Sequence, residues 1–468
     1  MNVNFKNSNG YMCEELRGDT FTPIAILQKL KGPKKFLLES SLKHNDEGRY
    51  SFIGSDPAFE LISYGTRNEI IERNGKKRIE HGNPIDVMKK LMPAGDAYDA
   101  HFPFPGGAVG FIGYDIVRQF ERIGKEIDNE IGMPDVHLMF YEVVIIFDHS
   151  EEKVIITGNR YRLLKDTSEE SIKRKIENII KELKQPDYHE DLDSYQIGNF
   201  RSEITQDEFI KNVEKAKEHI ECGDIFQVVL SQRMKAEFHG SPLSLYRKHR
   251  SVNPTPYMFF IDFEEYSVVG SSPESLVKAF GNHVTVNPIA GTKKRGRDSV
   301  EDQMFEEELM SDEKELAEHR MLVDLGRNDL GRVCEFGTVS VKKYMDVEKY
   351  RHVMHLVSEV NGILKNDKKG LDALAACLPA GTVSGAPKVR AMEIINELEI
   401  SRRGLYSGAV GYLSANGNMD FALAIRTMII KEGFAYIQAG AGIVHDSNPE
   451  TEYEETLNKL KSFLEGKK

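Results

Sequence analysis

Only four cysteines, Cys13, Cys222, Cys334 and Cys377, are scattered through 468 residues, with no paired spacing. That excludes a disulfide framework and a cysteine-based zinc site, and it fits a reducing compartment. Apolar runs of membrane-spanning length are missing too. The opening residues, MNVNFKNSNG, hold no apolar signal core, so a cytoplasmic location is expected. Positive charge is in short supply: 62 Lys and Arg face 74 Asp and Glu, a formal charge of −12. Such a chain is a poor match for nucleic acid, whose binding rests on neutralising phosphates. Tryptophan is absent altogether, which excludes nothing. What is there, with 40% hydrophobic residues, is a globular chain long enough for two or three domains.

Residues 1–185 read as a mainly antiparallel β unit with helices. Short strands are predicted at Phe36–Ser40 and Arg49–Gly54, and His137–Phe147 and Lys153–Thr157 flank a polar hairpin signal at Asp148–Glu152. A charged amphipathic helix is predicted over Thr167–Leu183. The acidic stretch after it has too few apolar residues to bury, which sets a linker at 186–204 and a second domain over 205–468. There a helix (Gln206–Cys222) leads into a strand, Ile225–Ser231. Further strands are predicted at Tyr257–Asp262, Tyr266–Gly270, His283–Val286, Ser407–Ser414, Phe421–Ile430 and Phe434–Gln438. Helices are predicted at 302–325, 370–377, 387–398 and from Glu450. Strands come in runs without strict alternation, which favours an α+β fold with large antiparallel sheets over a doubly wound one. Pro103–Phe111 echoes Ser407–Tyr412, an echo too short to establish a repeat.

The stretch Val286–Gly296 reads as a short strand and a tight turn with free backbone N–H groups at Gly291 and Thr292, followed by an acidic helix to Arg332. In that helix Glu315 and Glu318 lie three apart and share a face. Glu452 and Glu455 repeat the spacing. Each pair alone is the ordinary pattern of a solvated helix, but two pairs meeting around one ion make a hard-oxygen site suited to Mg²⁺. Gly440, Ala441 and Gly442 follow a strand and offer N–H groups that a ligand can approach, although a strand bulge has the same signature. Arg426 sits in an otherwise apolar stretch, where an unpaired guanidinium is costly. A bidentate carboxylate, from a ligand or an internal Asp or Glu, accounts for it.

The wording of the whole region, Pro288-Ile289-Ala290-Gly291-Thr292 and then Glu318-His319-x-Met321-Leu322-Val323-Asp324-Leu325-x-Arg327-Asn328-Asp329-Leu330-Gly331-Arg332, closely resembles the chorismate-utilising enzymes, nearest to their anthranilate synthase branch. The likeness runs from about Leu37 to Thr456 and is densest from Gln227 onward. It implies two packed β-sheets flanked by helices and shared by both domains. It also implies a Mg²⁺-dependent conversion of chorismate and ammonia to anthranilate and pyruvate, the entry to tryptophan synthesis. By resemblance, Glu318 and Glu455 bind Mg²⁺ directly, and Glu315 and Glu452 act through water or from behind. Gly291, Thr292, Tyr406, Arg426, Gly440, Ala441 and Gly442 then form the substrate pocket. Glu274, in Gly270-Ser271-Ser272-Pro273-Glu274, falls on the general acid that expels the C4 hydroxyl; alone it reads as a turn glutamate. Thr382 and His355 fall on the remaining active-site positions, His355 either beside the C4 oxygen or in the aromatising step.

Two positions separate the branches. Relatives that add water carry lysine where this chain has Gln227, and those that make aminodeoxychorismate usually carry lysine where it has Ala290, whose methyl cannot attack the ring. Direct addition of ammonia at C2 is favoured. None of the four cysteine contexts resembles the activated thiol of a glutamine amidotransferase, so a separate glutaminase subunit is expected to supply ammonia. Leu38-Glu39-Ser40 and Asn253–Met258 resemble a tryptophan-inhibition site, with Glu39, Ser40, Pro256, Tyr257 and Met258 as contacts. The rival readings are an aminodeoxychorismate synthase of the folate branch and a catalytically silent tryptophan-binding relative.

Overall fold

The computed structural model describes residues 6–8, 11–41, 48–92, 102–161, 168–186, 194–350 and 353–465. Runs such as Val136–Tyr141 and Val143–Asp148 are buried along their whole length, so both of their faces must be covered and they can only be interior strands. Two sheets satisfy that demand. Among the described residues one has 14 strands and the other 12, and every pairing is antiparallel.

The elements that build the site are taken in chain order. They begin with β1 (Phe36–Glu39), β2 (Gln227–Gly240), α1 (Pro242–Val252), β3 (Tyr257–Asp262), β4 (Tyr266–Ser272), β5 (Ser275–Phe280) and β6 (Ile289–Lys294). They continue with α2 (Ser299–Ser311), α3 (Glu313–Gly331), β7 (Val353–Ile363) and α4 (Lys388–Leu398). The last are β8 (Met419–Leu423), β9 (Thr427–Lys431), β10 (Phe434–Ile443) and α5 (Pro449–Glu465).

The larger sheet contains β1, β3, β4, β9, β10 and β2 as successive neighbours. The smaller one contains β6, β7, β5 and β8, then continues through Ala409–Ser414 into Gly107–Ile112 and other strands of the first half. Aromatic and branched side chains of both sheets, among them Phe36, Phe111, Ile146, Phe259 and Val410, fill the space between them. Helices cover the two outer faces, as Ile172, Ile176 and Tyr246 do on the larger sheet. The order is helix, sheet, sheet, helix.

Strands from both sides of the linker share each sheet. β1 pairs β3 with Glu39 opposite Met258, and Gly107–Ile112 pairs Ala409–Ser414 with Gly110 opposite Gly411. The two echoed segments therefore lie side by side. A side chain on Gly411 would sit 2.1 Å from the Asp420 carbonyl oxygen, so the shared glycines are a requirement of close packing. Within the linker, 187–193 lie outside the described residues, and Tyr195–Ile197 and Arg201–Ser202 both pair with β2. No helix among the described residues is long and apolar enough to cross a membrane.

Four local expectations are corrected. The acidic helix is two helices, α2 and α3, because the Asp312 side chain accepts from the Lys314 and Glu315 N–H groups and starts a new helix. The predicted strand Phe421–Ile430 is β8 in one sheet and β9 in the other. The strand expected to end at Gln438 continues to Ile443. The Pro-Ile-Ala-Gly-Thr segment is strand β6 with a register shift at Gly291, not a turn.

Candidate functional site

Two neighbouring strand pairs leave one sheet for the other at the same place. β4 passes to β5 through Pro273 and Glu274, and β8 passes to β9 through Ala424 to Arg426. The crossovers are laced together: the Ser271 N–H donates to the Arg426 carbonyl (3.1 Å), and the Leu423 N–H donates to the Glu274 carbonyl (3.0 Å). Arg426 takes φ 49°. A non-glycine residue there costs on the order of 1–3 kcal/mol, which the surrounding pairing must supply.

This geometry decides the electrostatics. Glu274 is buried, and burial pushes its carboxyl up to about 7, opposed by a hydrogen bond from Thr382 and by the Arg426 charge. The Thr382 hydroxyl lies 2.7 Å from Glu274 Oε1. Arg426 is exposed to solvent, and the protein packed around it lowers its pKa, opposed by the Glu274 charge. Among the described residues its guanidinium has no hydrogen bond or ion pair. Among the described residues no internal carboxylate fills the role expected for one, and an unpaired cation next to an acid shifted toward its neutral form is a place for an anionic ligand.

β10 supplies the facing wall. The Val229 N–H is spent on the Ser384 carbonyl (2.9 Å) and the Ser231 N–H on Glu399 Oε1 (2.9 Å). Gly442 and Gly440 stand opposite those two residues, so in an antiparallel ladder their own N–H groups point away from β2. Pairing between β9 and β10 stops at Met428 and Ile437, so that side of β10 is open. A side chain on Gly440 would come 2.8 Å from the Tyr406 hydroxyl, and one on Gly442 would come 2.7 Å from Gln227 Nε2. Tyr406 is buried, with its hydroxyl pushed up to about 12.

Gln227 Nε2 donates to Glu318 Oε1 at 3.2 Å, which joins this wall to α3. Glu315, one turn earlier, lies 3.3 Å from where a Gly291 side chain would stand, and Gly291 itself has φ 68°. Burial and the Glu318 charge raise the Glu315 carboxyl. Burial raises Glu452 on α5 as well, with Glu455 adding to the shift and Lys314 opposing it. Lys314 also opposes the shift of Glu315, so the charge of one lysine acts on a member of each carboxylate pair. Glu455 is paired with Lys459 at 2.7 Å, and Lys459 also donates to the Gly440 carbonyl. Among the described residues no group of three or more His, Cys, Asp or Glu is placed to hold a metal ion.

His355, on β7 opposite Thr292, has Nδ1 2.9 Å from the Gly291 carbonyl and 3.0 Å from Thr292 Oγ1. A carbonyl only accepts, which assigns a proton to Nδ1. Ala290 faces Leu356 on the same pair and brings no nucleophile.

Of the residues expected around tryptophan, Glu39 and Met258 stand opposite each other, whereas the Tyr257 side chain points to the other sheet. Glu39 is buried and accepts from the Tyr246 hydroxyl (2.7 Å) and from Arg250 (2.8 Å), both on α1. Ser40 and Met258 are buried beside it, and Tyr257 donates to Asp420. Lys314 and Lys459 were not anticipated. The i, i+4 spacing of Glu455 and Lys459 was a legible signal, whereas Lys314 belongs to the site only through the fold.

A family profile described as chorismate binding enzyme covers residues 34–465. Component 1 of anthranilate synthase from Acetivibrio thermocellus is 46% identical over 465 residues, spanning 96% of this chain and 93% of that protein. The protein of the same name from Lactococcus lactis is 46% identical over 455 residues, spanning 96% and 98%. The crystal structure of anthranilate synthase component I from Streptococcus pneumoniae superposes with a TM-score of 0.82 at 43% identity, covering 96% of this chain and 98% of that one. The menaquinone-specific isochorismate synthase of Escherichia coli, at 19% identity and a TM-score of 0.73 over 99% and 97% of the two chains, shares the fold.

Proposed function

The chain belongs to the chorismate-binding enzyme family, in its anthranilate synthase component 1 branch, and on that premise we propose that it converts chorismate and ammonia to anthranilate, pyruvate and water. The observation that carries the reading is the twin crossover, where a glutamic acid pushed up to about 7 stands beside a guanidinium with no carboxylate partner. Arg426, Tyr406 and the N–H groups of Gly440 and Gly442 take a substrate carboxylate. Glu274, still substantially protonated near neutrality, gives its proton to the departing C4 hydroxyl as ammonia adds at C2. Ammonia brings its own lone pair, so neither Gln227 nor Ala290 needs to act as base or nucleophile. His355, held through Nδ1 at the Gly291 carbonyl, is the residue assigned to take the proton lost as the ring becomes aromatic and pyruvate leaves.

By donor type the carboxylates suit Mg²⁺, although among the described residues no three of them converge on one point. Four glutamates on two helices supply hard oxygens, and Mg²⁺ needs only one or two protein carboxylates when substrate and water complete its shell. Glu318 and Glu455 would hold it directly and Glu315 and Glu452 through water. When bound, the ion neutralises the second substrate carboxylate. Ammonia is read as coming from a glutaminase subunit, since none of the four cysteine contexts resembles an amidotransferase thiol; Cys13, Cys334 and Cys377 are buried and Cys222 is exposed. Glu39, Ser40, Pro256, Tyr257 and Met258 are read as the tryptophan-inhibition site.

Product identity tests the proposal. Purified protein with chorismate, an ammonium salt and Mg²⁺ at mildly alkaline pH is expected to release anthranilate and pyruvate in equal amounts, and to stop when the metal is chelated. Aminodeoxychorismate without pyruvate would assign the chain to the folate branch. No turnover would leave only the regulatory reading.

A further inference from the structure

Asp329 and Lys388 form a half-buried ion pair, Nζ to Oδ2 2.5 Å, with their side chains 12% and 13% exposed. Each charge stands at the wrong end of its helix. Lys388 is the first residue of α4, where the helix dipole is positive, and Asp329 lies in the last turn of α3, where it is negative. Neither helix is served by the pair, so the reason for it lies in what it joins.

It joins the first residue of α4 to the last turn of α3, and α4 begins five residues after the turn Gly381–Val383, which carries Thr382. A side chain on Gly381 would come 2.5 Å from Leu325 Cδ1, so the turn rests directly on α3. Asp329, four residues on, lies on the same helical face as Leu325. Asp329, Thr382 and Glu274 line one small cavity behind the twin crossover, with Cys377 in its wall. Arg426 is the charged group acting on Glu274, and Arg332 acts on Asp329 in addition to Lys388.

We propose that the Asp329–Lys388 pair is a positioning device for the general acid: it clamps the turn so that Thr382 meets Glu274, and it neutralises the one carboxylate that shares the cavity with that acid. The inference rests on the reading of Glu274 as the acid. The test compares K388Q, D329N and the double variant in kcat, KM for chorismate, the alkaline limb of the kcat profile, and melting temperature. K388Q bares the Asp329 carboxylate, which holds the Glu274 proton and moves the limb up by a few tenths of a pH unit; D329N bares the ammonium and moves it down. In the double variant the limb returns to the wild-type position while kcat stays roughly tenfold low with KM little changed, because the clamp is gone and the net charge at the cavity is unchanged. The double variant leaves no uncompensated charge and is expected to fold. A double variant with wild-type kcat, single variants with unmoved limbs, or losses that track the folded fraction alone would overturn the clamp. Wild-type protein that makes no anthranilate would instead bring down the reading on which it stands.

Discussion

At the scale of one residue, Glu274 carries a conflict between folding and chemistry. Its carboxyl titrates near 7 in the folded chain and near 4.5 when exposed. Below about pH 4.5 it is protonated in both states and adds no pH dependence. As pH rises toward 7 the unfolded chain ionises first, so native stability falls, and above 7 the loss is complete. Glu274→Gln never ionises. The variant is expected to lose roughly 10²- to 10⁴-fold in kcat, and to melt higher than wild type at pH 8 by the equivalent of about 1–3 kcal/mol. At pH 4 that difference closes. Melting curves of both proteins at the two pH values check this, and equal curves at pH 8 would mean that burial does not raise the acid. The residue was legible only through the wording around it, because Ser-Pro-Glu on its own describes a turn. What raises its carboxyl is burial at the crossover of two strands between sheets, and no local pattern encodes that.

At the scale of the element, hydrophobic pattern told strands from helices well and their ends poorly, for reasons visible in particular residues. Phe421–Ile430 contains no glycine or proline and is apolar almost throughout, so nothing marks the change of sheet at Arg426. The break between α2 and α3 is made by Asp312, an acid inside an acidic run, where a cap looks like one more surface charge. Gly440 and Gly442 were legible as places of close approach, and the structure separates that meaning from simple packing. A Gly442→Ala side chain meets Gln227 Nε2, the mobile end of a side chain that would swing aside and release Glu318. A Gly411→Ala side chain meets a backbone carbonyl that has nowhere to go. Gly442→Ala is therefore expected to raise KM for chorismate about tenfold with a small change in melting temperature, while Gly411→Ala costs several kcal/mol of stability. Steady-state kinetics and thermal melts of the two variants decide it; equal stability losses would place Gly442 with the packing glycines.

At the scale of the whole molecule, strand sharing between the halves connects two sites that the sequence could only place separately. The Glu39 cluster lies where β1 meets β3, and β3 pairs β4 with Tyr257 opposite Ser272, two residues before Glu274. α1 touches both ends of this path: Arg250 holds Glu39, and the adjacent His249 meets the Ser271 hydroxyl at 2.7 Å. A ligand that pulls Arg250 or Tyr246 from Glu39 must move α1, and α1 reaches the strand that presents the acid. Under the proposed inhibition, Ser40→Ala weakens tryptophan binding itself and leaves the uninhibited rate near wild type. His249→Ala is expected to keep tryptophan binding while reducing the inhibition at saturation, because it cuts the path and not the pocket. Linkage adds a symmetrical demand: chorismate must weaken tryptophan binding by the same factor by which tryptophan weakens chorismate binding. Titration calorimetry of tryptophan with and without chorismate, on wild type and both variants, measures that factor directly. Should His249→Ala leave it intact, the coupling does not run through α1, and the sheet alone must carry it.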